Sequence, residues 1–577
     1  MAGSSGAGGE RAPAVSADNP LRQALAAGRR HYVAAAVLSA LGNLLYLTPT
    51  LFMLQVYDRV VPSGSLATLA LIGAVALAAY GTLGTFEWLR GRLLVKAGMR
   101  LDRQLAGPVL GVVLARRGMT AMERSEAIRE LDAFRQTMAG PVMTIAFDAP
   151  WAPIYVIAAF LLNPWLGLLT MAAGAILVLL AWRSERAIHG ALAAANTAAA
   201  VTYARQRQMT AHAAQVRALG MRRALTARAL ADRAGVNELQ LAATFTGGRH
   251  GSLIKTVRLV LQSSALAMGG WLAVEQQISA GAIVATSLLM SRALSPIEQL
   301  THNWKQVVRA RTAYHHLAGL LGGTGAVAPT QLPRPAGRVS IEELTVATAQ
   351  GARVAIAQIS AEIAAGEVVG IAGLSGAGKS TLLSALAGAL PALRGTVRID
   401  GASIESWDPD RLADHVGYLP QDYVLFAGTI KENIARFAGH VFGDPAAIDE
   451  RVVAVAREVG AHEMILRLPD GYDTVVGNGA GLSAGQAQRI ALARALYTDP
   501  AILLLDEPSA SLDAEGQHAL MALIGRLRAE GRTVIFSTHQ TDLLAIADKV
   551  MLLAGGRLAR FGPLATPSVT QLAEKRA

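Results

Sequence analysis

The sequence predicts two parts: a polytopic α-helical membrane domain of about six spans, then an α/β domain built around a phosphate-binding loop. Three observations carry that expectation. Long apolar runs recur through the first half of the chain, a Gly/Pro-rich break follows them, and beyond the break short Val/Ile/Leu strands alternate with helices. Of 577 residues, 52% are hydrophobic, and mean hydropathy is +0.35. That is high for a wholly water-exposed fold, so part of the chain is expected in lipid.

The apolar runs fall near residues 32–56, 67–88, 142–162, 166–182, 257–274 and 280–293. Each suits a helix of about 20 residues crossing a hydrocarbon core of roughly 30 Å. The sixth run is the shortest and leads into a polar helical segment. Asn163 and Pro164 supply a tight turn between the third and fourth. The first 20 residues are rich in Gly, Ala, Ser and Pro and are expected to lack fixed structure. The expected domains are a disordered cytoplasmic tail over 1–30, a membrane domain over 31–320, a linker over 321–336 and the α/β domain over 337–577. No cleavable signal peptide is evident, so the first apolar run is expected to serve as its own targeting signal.

Charge sets the expected orientation. Arg22, Arg29 and Arg30 precede the first span, and Arg90, Arg92, Lys96, Arg100 and Arg103 follow the second. Arg183 and Arg186 follow the fourth, and Arg292 lies near the sixth. The turns after spans one, three and five are nearly free of Lys and Arg, apart from Arg59 beside Asp58. Both termini are therefore expected in the cytoplasm, with the Arg-rich stretches 90–138 and 183–255 as cytoplasmic helical extensions. The net charge of +11 is spread along these segments without a dense basic block, so nucleic acid is not an expected partner. The absence of cysteine excludes disulfides, thiolate metal sites and cysteine nucleophiles. Asp58, Arg59, Glu87 and Asp148 sit near span ends, where they either line a path or pair with neighbours.

In the α/β domain an apolar strand runs into Gly373-Leu374-Ser375-Gly376-Ala377-Gly378-Lys379-Ser380, and a helical run opens at Thr381. Strand, glycine loop, helix is the context that makes G-x-x-x-x-G-K-[ST] a phosphate site. The glycines let backbone N–H groups converge on phosphate oxygens, Lys379 brings a point charge, and Ser380 can ligate Mg²⁺. A second apolar strand ends in Asp506-Glu507-Pro508. Asp506 is placed to hold Mg²⁺ through water, and Glu507 to polarise an attacking water.

With these motifs in this order, the chain resembles the ABC ATPase superfamily over residues 337–560, and the whole looks like an ABC exporter half. Leu482-Ser483-Ala484-Gly485-Gln486 is similar to its signature, Gln421 to its Q-loop glutamine, Ser511-Leu512-Asp513 to its D-loop and His539 to its switch histidine. The resemblance implies ATP as substrate and Mg²⁺ as cofactor. Catalysis falls to Glu507, His539 and Gln421, and the metal to Ser380, Gln421 and Asp506. Nucleotide contacts come from 373–381 of one copy and from Ser483, Gly485, Gln486 and Asp513 of the other. One loop and one signature per chain imply a homodimer.

The sequence also departs from the family. No Phe, Trp or Tyr occurs over residues 315–406, so the adenine-stacking aromatic is missing. Ala484 replaces a glycine, Ala487 stands where Arg is frequent, and Gly477-Asn478-Gly479-Ala480-Gly481 lacks the acid of many exporters and is one residue short.

The membrane half narrows the resemblance. Leu54-Gln55-Val56-Tyr57-Asp58-Arg59 and Phe147-Asp148-Ala149-Pro150-Trp151 are similar to span regions of type I secretion ATPases, of the branch that exports metalloproteases and RTX-type proteins. This implies ATP-driven export of an unfolded polypeptide across the bacterial inner membrane, with a periplasmic membrane-fusion adaptor and an outer-membrane channel as partners. The alternatives are an exporter of lipid, drug or peptide, and a non-transporting ATP-binding membrane regulator.

Overall fold

The computed structural model describes residues 19–116, 119–322, 332–348, 353–441, 444–477 and 481–563. Its contacts divide the chain into two units, one built on residues before 324 and one on residues after 325, with 114–123 grouped with the latter.

The first unit is all-helical. α1 (Pro20–Leu45) opens on the N-cap Asn19, whose side chain accepts from the Leu21 N–H. Helix therefore occupies residues 20–30, which the expected domain bounds had placed in the tail. The reason is local: Asn followed by Pro is a strong helix start, and Leu21, Ala24 and Gly28 are buried. Span one is then interrupted, and α2 (Thr48–Gln55) resumes after Tyr46 and Leu47. Pro49 has no N–H for the Leu45 carbonyl and its ring crowds that turn. A π-turn at Val56–Val60 follows.

α3 (Leu66–Ala115) carries span two, and α4 (Ala121–Met138) follows it. Span three is also broken. α5 (Pro141–Asp148) leads through a 3-10 turn, Ala149–Trp151, into α6 (Ala152–Leu162), with Pro150 and Pro153 as the cause. Asn163 caps α7 (Pro164–Ala211), and α8 (Arg222–Val274), α9 (Ala280–His302) and α10 (Trp304–Gly322) complete the unit.

Among the described residues, six segments are long and apolar enough to cross a membrane. The sixth, α9, has the shortest apolar run and is the most enclosed of the six. Its apolar window is 56% buried against 6% for α3, and it packs on α2, α6, α7 and α8. Gly281, Ala282, Ala285 and Ala293 allow that close approach. α3 instead exposes Leu71, Val75 and Leu77, a surface suited to lipid. At the ends of spans two and four, Arg92 lies 4.7 Å over the Trp88 ring and Arg186 3.8 Å over Trp182. Such pairs suit a headgroup boundary. The acids near span ends are partnered. Asp58 accepts from Ser279 Oγ at 2.6 Å and from the Gly281 N–H at 2.8 Å, at the start of α9. Glu87 pairs with the Tyr46 hydroxyl, and Asp148 with Arg90 at 2.9 Å.

The second unit has two main sheets. β1 (Val339–Ala347), β2 (Val354–Ile363), β4 (Arg394–Ile399) and β5 (Ala402–Ser403) form an antiparallel sheet in the order β2-β1-β4-β5, while β3 (Val368–Gly373) belongs to the other. With β6 (Val416–Leu419), β7 (Ile502–Asp506), β8 (Thr533–Ser537), β9 (Lys549–Ala554) and β10 (Arg557–Gly562) it makes a six-stranded sheet in the order β10-β9-β3-β8-β7-β6. Alternate residues of the central strands feed opposite faces: Val368, Leu503, Leu505 and Phe536 one core, Val369, Ile371, Leu504 and Ile535 the other. That is why these strands read as continuous apolar runs. Ahead of β1, Asp400 accepts the N–H groups of Ala336 and Arg338 at 2.5 and 2.9 Å. Residues 323–331 of the expected linker lie outside the described residues.

Phe536 is fully buried between the central strands and the helices over them. Phe536→Ala is expected to cost this unit about 3–5 kcal/mol, read as a lowered melting transition of the purified chain. A shift worth under about 1 kcal/mol would show a loosely packed core.

Candidate active site

The parallel strands end in step. Ser537 of β8 pairs with Asp506 of β7 on one side and with Ile371 of β3 on the other, and Leu419 of β6 pairs with Leu505. The loops after β3, β6, β7 and β8 therefore leave one edge of the sheet, where α/β folds bind ligands. They carry the 373–378 loop, Gln421, Glu507 and His539.

Gly373 closes β3. Leu374, Ser375 and Gly376 are exposed, Ala377 is buried, and the helix α11 (Lys379–Leu386) starts at Lys379, with Ser380 and Thr381 in its first turn. Gly378 sits at φ 99°, and a Cβ there would lie 2.5 Å from Ile356 Cγ2, so only glycine fits. Lys379 is 6% exposed. Its Nζ donates to the carbonyls of Gly373 at 3.1 Å and Leu374 at 3.3 Å, and lies 3.0 Å from His539 Nε2.

From His539 the contacts run on. Its Nε2 is 3.2 Å from Glu507 Oε1, Gln421 Nε2 donates to Glu507 Oε2 at 3.2 Å, and Ser380 Oγ donates to Gln421 Oε1 at 3.3 Å. The structure thus joins Lys379, His539, Glu507, Gln421 and Ser380 in one chain of polar contacts. Asp506, 2% exposed, accepts from Ser537 Oγ at 2.6 Å. The same hydroxyl accepts from the Glu507 N–H at 2.9 Å and holds Glu507 at φ 47°, a backbone region costly for a non-glycine residue.

The signature lies at the start of α12 (Ala484–Leu496). Ser483 Oγ accepts from the Gln486 N–H at 3.2 Å and Gln486 Oε1 from the Ser483 N–H at 2.8 Å, a capping box. A Cβ on Gly485 would lie 2.7 Å from the Ser511 carbonyl oxygen, so the signature and the D-loop touch only because no side chain intervenes. Among the described residues no hydrogen bond joins Ser483, Gly485 or Gln486 to residues 373–381 of the same chain. Asp513 caps α13 (Ala514–Ala529), accepting from the Gly516 N–H at 2.9 Å and from Arg489 at 2.8 Å.

Two supporting residues escaped the sequence reading. Ser537, two positions before His539, carried no signal of its own in the sequence. Gln488, 3% exposed, donates to the Pro508 carbonyl at 2.8 Å and accepts from the Ser511 N–H at 3.2 Å, bracing the segment between Glu507 and Asp513. A glutamine flanking the apolar run Ile490-Ala491-Leu492-Ala493 was the available signal. Residues 478–480, in the segment that lacks the acid, and 349–352, after β1, lie outside the described residues.

The Gly516 N–H, opposed by slight desolvation and aided by Arg489, holds the Asp513 carboxyl below its ordinary range. A depressed carboxyl contributes stability above its unfolded pKa and loses it as pH falls through the folded one. Asp513→Asn keeps a good N-cap but loses the charge. The melting-temperature gap between wild type and variant is expected to narrow steadily as pH falls below about 5. A gap that does not change with pH would refute this.

Comparison with known proteins agrees with the geometry. Residues 356–510 match the ABC transporter family model, and residues 125–296 the ABC transporter transmembrane region. The chain is 39% identical over 539 residues to the type I secretion system ATP-binding protein PrsD of Rhizobium meliloti, covering 93% of this chain and 92% of that one. It is 30% identical over 535 residues to the cyclolysin secretion/processing ATP-binding protein CyaB of Bordetella pertussis, covering 89% and 72%. A solved bacterial Atm1-family ABC exporter with ATP bound shares the fold, with a TM-score of 0.79 at 24% identity over 93% of this chain and 95% of that one. The chain is therefore a multi-pass membrane ATPase of the ABC transporter family, belonging with the type I secretion ATP-binding proteins.

Proposed function

We propose that the chain hydrolyses ATP to export an unfolded polypeptide across the bacterial inner membrane, as the ABC component of a type I secretion system. The observation that supports hydrolysis is the unbroken run of contacts from Lys379 through His539 and Glu507 to Gln421 and Ser380. Backbone N–H groups of 373–381 and the Lys379 ammonium bind the phosphates, and the ammonium exchanges its loop carbonyls for phosphate oxygens. Glu507 accepts a proton from the water whose oxygen attacks the γ-phosphorus, the bond to the β-phosphate oxygen breaks, and ADP leaves with the electron pair. His539 and Gln421 hold the two carboxylate oxygens of Glu507 in place.

The oxygen donors of Ser380, Gln421 and Asp506 are hard ligands and suit Mg²⁺. These residues would hold it, and when bound it would neutralise phosphate charge. Ser483, Gly485 and Gln486 lie at a capped helix N-terminus, a favourable end for anions. With no bond to the loop of their own chain, they are assigned to the nucleotide of a second copy, along with Asp513. The working unit is then a homodimer with two shared ATP sites.

The arginines flanking spans one, two and four support cytoplasmic termini. The likeness to secretion ATP-binding proteins supports a polypeptide cargo and, with it, a periplasmic adaptor and an outer-membrane channel.

Glu507→Gln is expected to lower ATP turnover by at least about a hundredfold while nucleotide still binds. Retained turnover would remove Glu507 from the chemistry. Deleting the chain is expected to leave a specific protein inside the cell with lipid distribution unchanged. Altered lipid distribution with normal secretion would instead assign a lipid cargo.

A further inference from the structure

The interruptions of spans one and three meet in one polar cluster. Asp148 ends α5, directly before the 3-10 turn. Its Oδ1 accepts from Ser39 Oγ at 2.5 Å, from Asn43 Nδ2 at 2.9 Å and from Arg90 Nη1 at 2.9 Å, with Oδ2 3.3 Å from the same nitrogen. Arg90 also donates to Ser39 Oγ at 2.8 Å. At the other break the Leu47 N–H turns to the Leu44 carbonyl at 3.1 Å, so the Asn43 carbonyl loses its helical donor. The Tyr155 hydroxyl of α6 offers its proton to that carbonyl at 2.9 Å, with Asn43 Oδ1 equally near.

Ser39 and Tyr155 are buried, and the side chains of Arg90 and Asp148 are 12% and 18% exposed. In a membrane unit such groups persist only where they are partnered. Each break exposes polar groups that the other span, or α3, satisfies. Just past the first break, Thr50 is buried and its Oγ1 has no hydrogen-bond partner, so that turn is held by its surroundings and not by its own side chain.

We propose that Asp148 is a positioning residue of the membrane unit. Its carboxylate ties α1, α3 and α5 together and holds the bends of the two proline-broken spans as one piece, while ATP turnover does not depend on it. The pairing with Arg90 is what keeps this charge in place. An amide at 148 alone leaves Arg90 buried and unpaired, whereas amides at both positions leave no unpaired charge.

The chain has no cysteine, so a single introduced thiol reports local opening. The test uses the full chain in liposomes, with Thr50→Cys as reporter and a membrane-permeant maleimide as probe. Asp148→Asn is expected to speed labelling at this position at least about tenfold. Adding Arg90→Gln to Asp148→Asn is expected to return most of that change. A control thiol from Thr170→Cys, on α7 and 1% exposed in wild type, should label at an unchanged rate. The kcat and KM for ATP should stay within about twofold. Unchanged labelling at position 50, equal acceleration at position 170, a double variant no slower than the single one, or ATP turnover lost with Asp148→Asn would each overturn the proposal.

Discussion

The common register of β3, β7 and β8 is the constraint on which the nucleotide unit rests. Ser537 lies opposite both Asp506 and Ile371, so three strands drawn from distant parts of the chain run out at the same edge of the sheet. The loops that follow have no other place to go than a shared edge. Once there, a single hydroxyl, Ser537 Oγ, donates to Asp506 and accepts from the Glu507 N–H. A slip of one residue would turn Asp506 into the opposite core and dissolve the site. The register is set by apolar alternation, with Phe536 and Leu505 on one face and Ile535 and Leu504 on the other. The packing of the core and the chemistry at its edge are therefore one requirement.

A different solvent imposes a parallel requirement on the membrane unit. Backbone groups freed by Pro49, Pro150 and Pro153 have no water to turn to in a bilayer core. At the first break the Tyr155 hydroxyl is lent across the bundle to the Asn43 carbonyl, and at an ordinary helix start Asp58 accepts the Gly281 N–H of α9. The central position of α9 has the same origin, since small residues let four other helices approach it.

Much of this was legible in the chain. The phosphate loop, the Asp506-Glu507 strand end and the helix start at Ser483 depend on neighbours within a few residues, and local patterns report local structure. The six apolar runs fell on the six candidate spans found among the described residues, because length and hydropathy alone govern that count. The helix over 20–30 was misread as tail. There the Asn19-Pro20 start signal and the burial of Leu21 outweighed a composition poor in large apolar groups. The breaks in spans one and three were not anticipated either. A hydropathy run does not distinguish a straight span from a proline-broken one whose loose ends are satisfied elsewhere.

By itself the sequence determined the order of motifs, the chemistry each can perform and the segments apolar enough for lipid. These follow from residue type and short-range spacing. Only the tertiary structure decided that Glu87 and Asp148 are paired and not free, that Ser537 holds Asp506 and the Glu507 N–H while Gln488 braces the segment after them, and that Lys379 and His539 touch. Those contacts join residues from 20 to 160 positions apart. Which polar groups meet over such separations depends on how strands register and helices pack, and no local stretch of chain records that outcome.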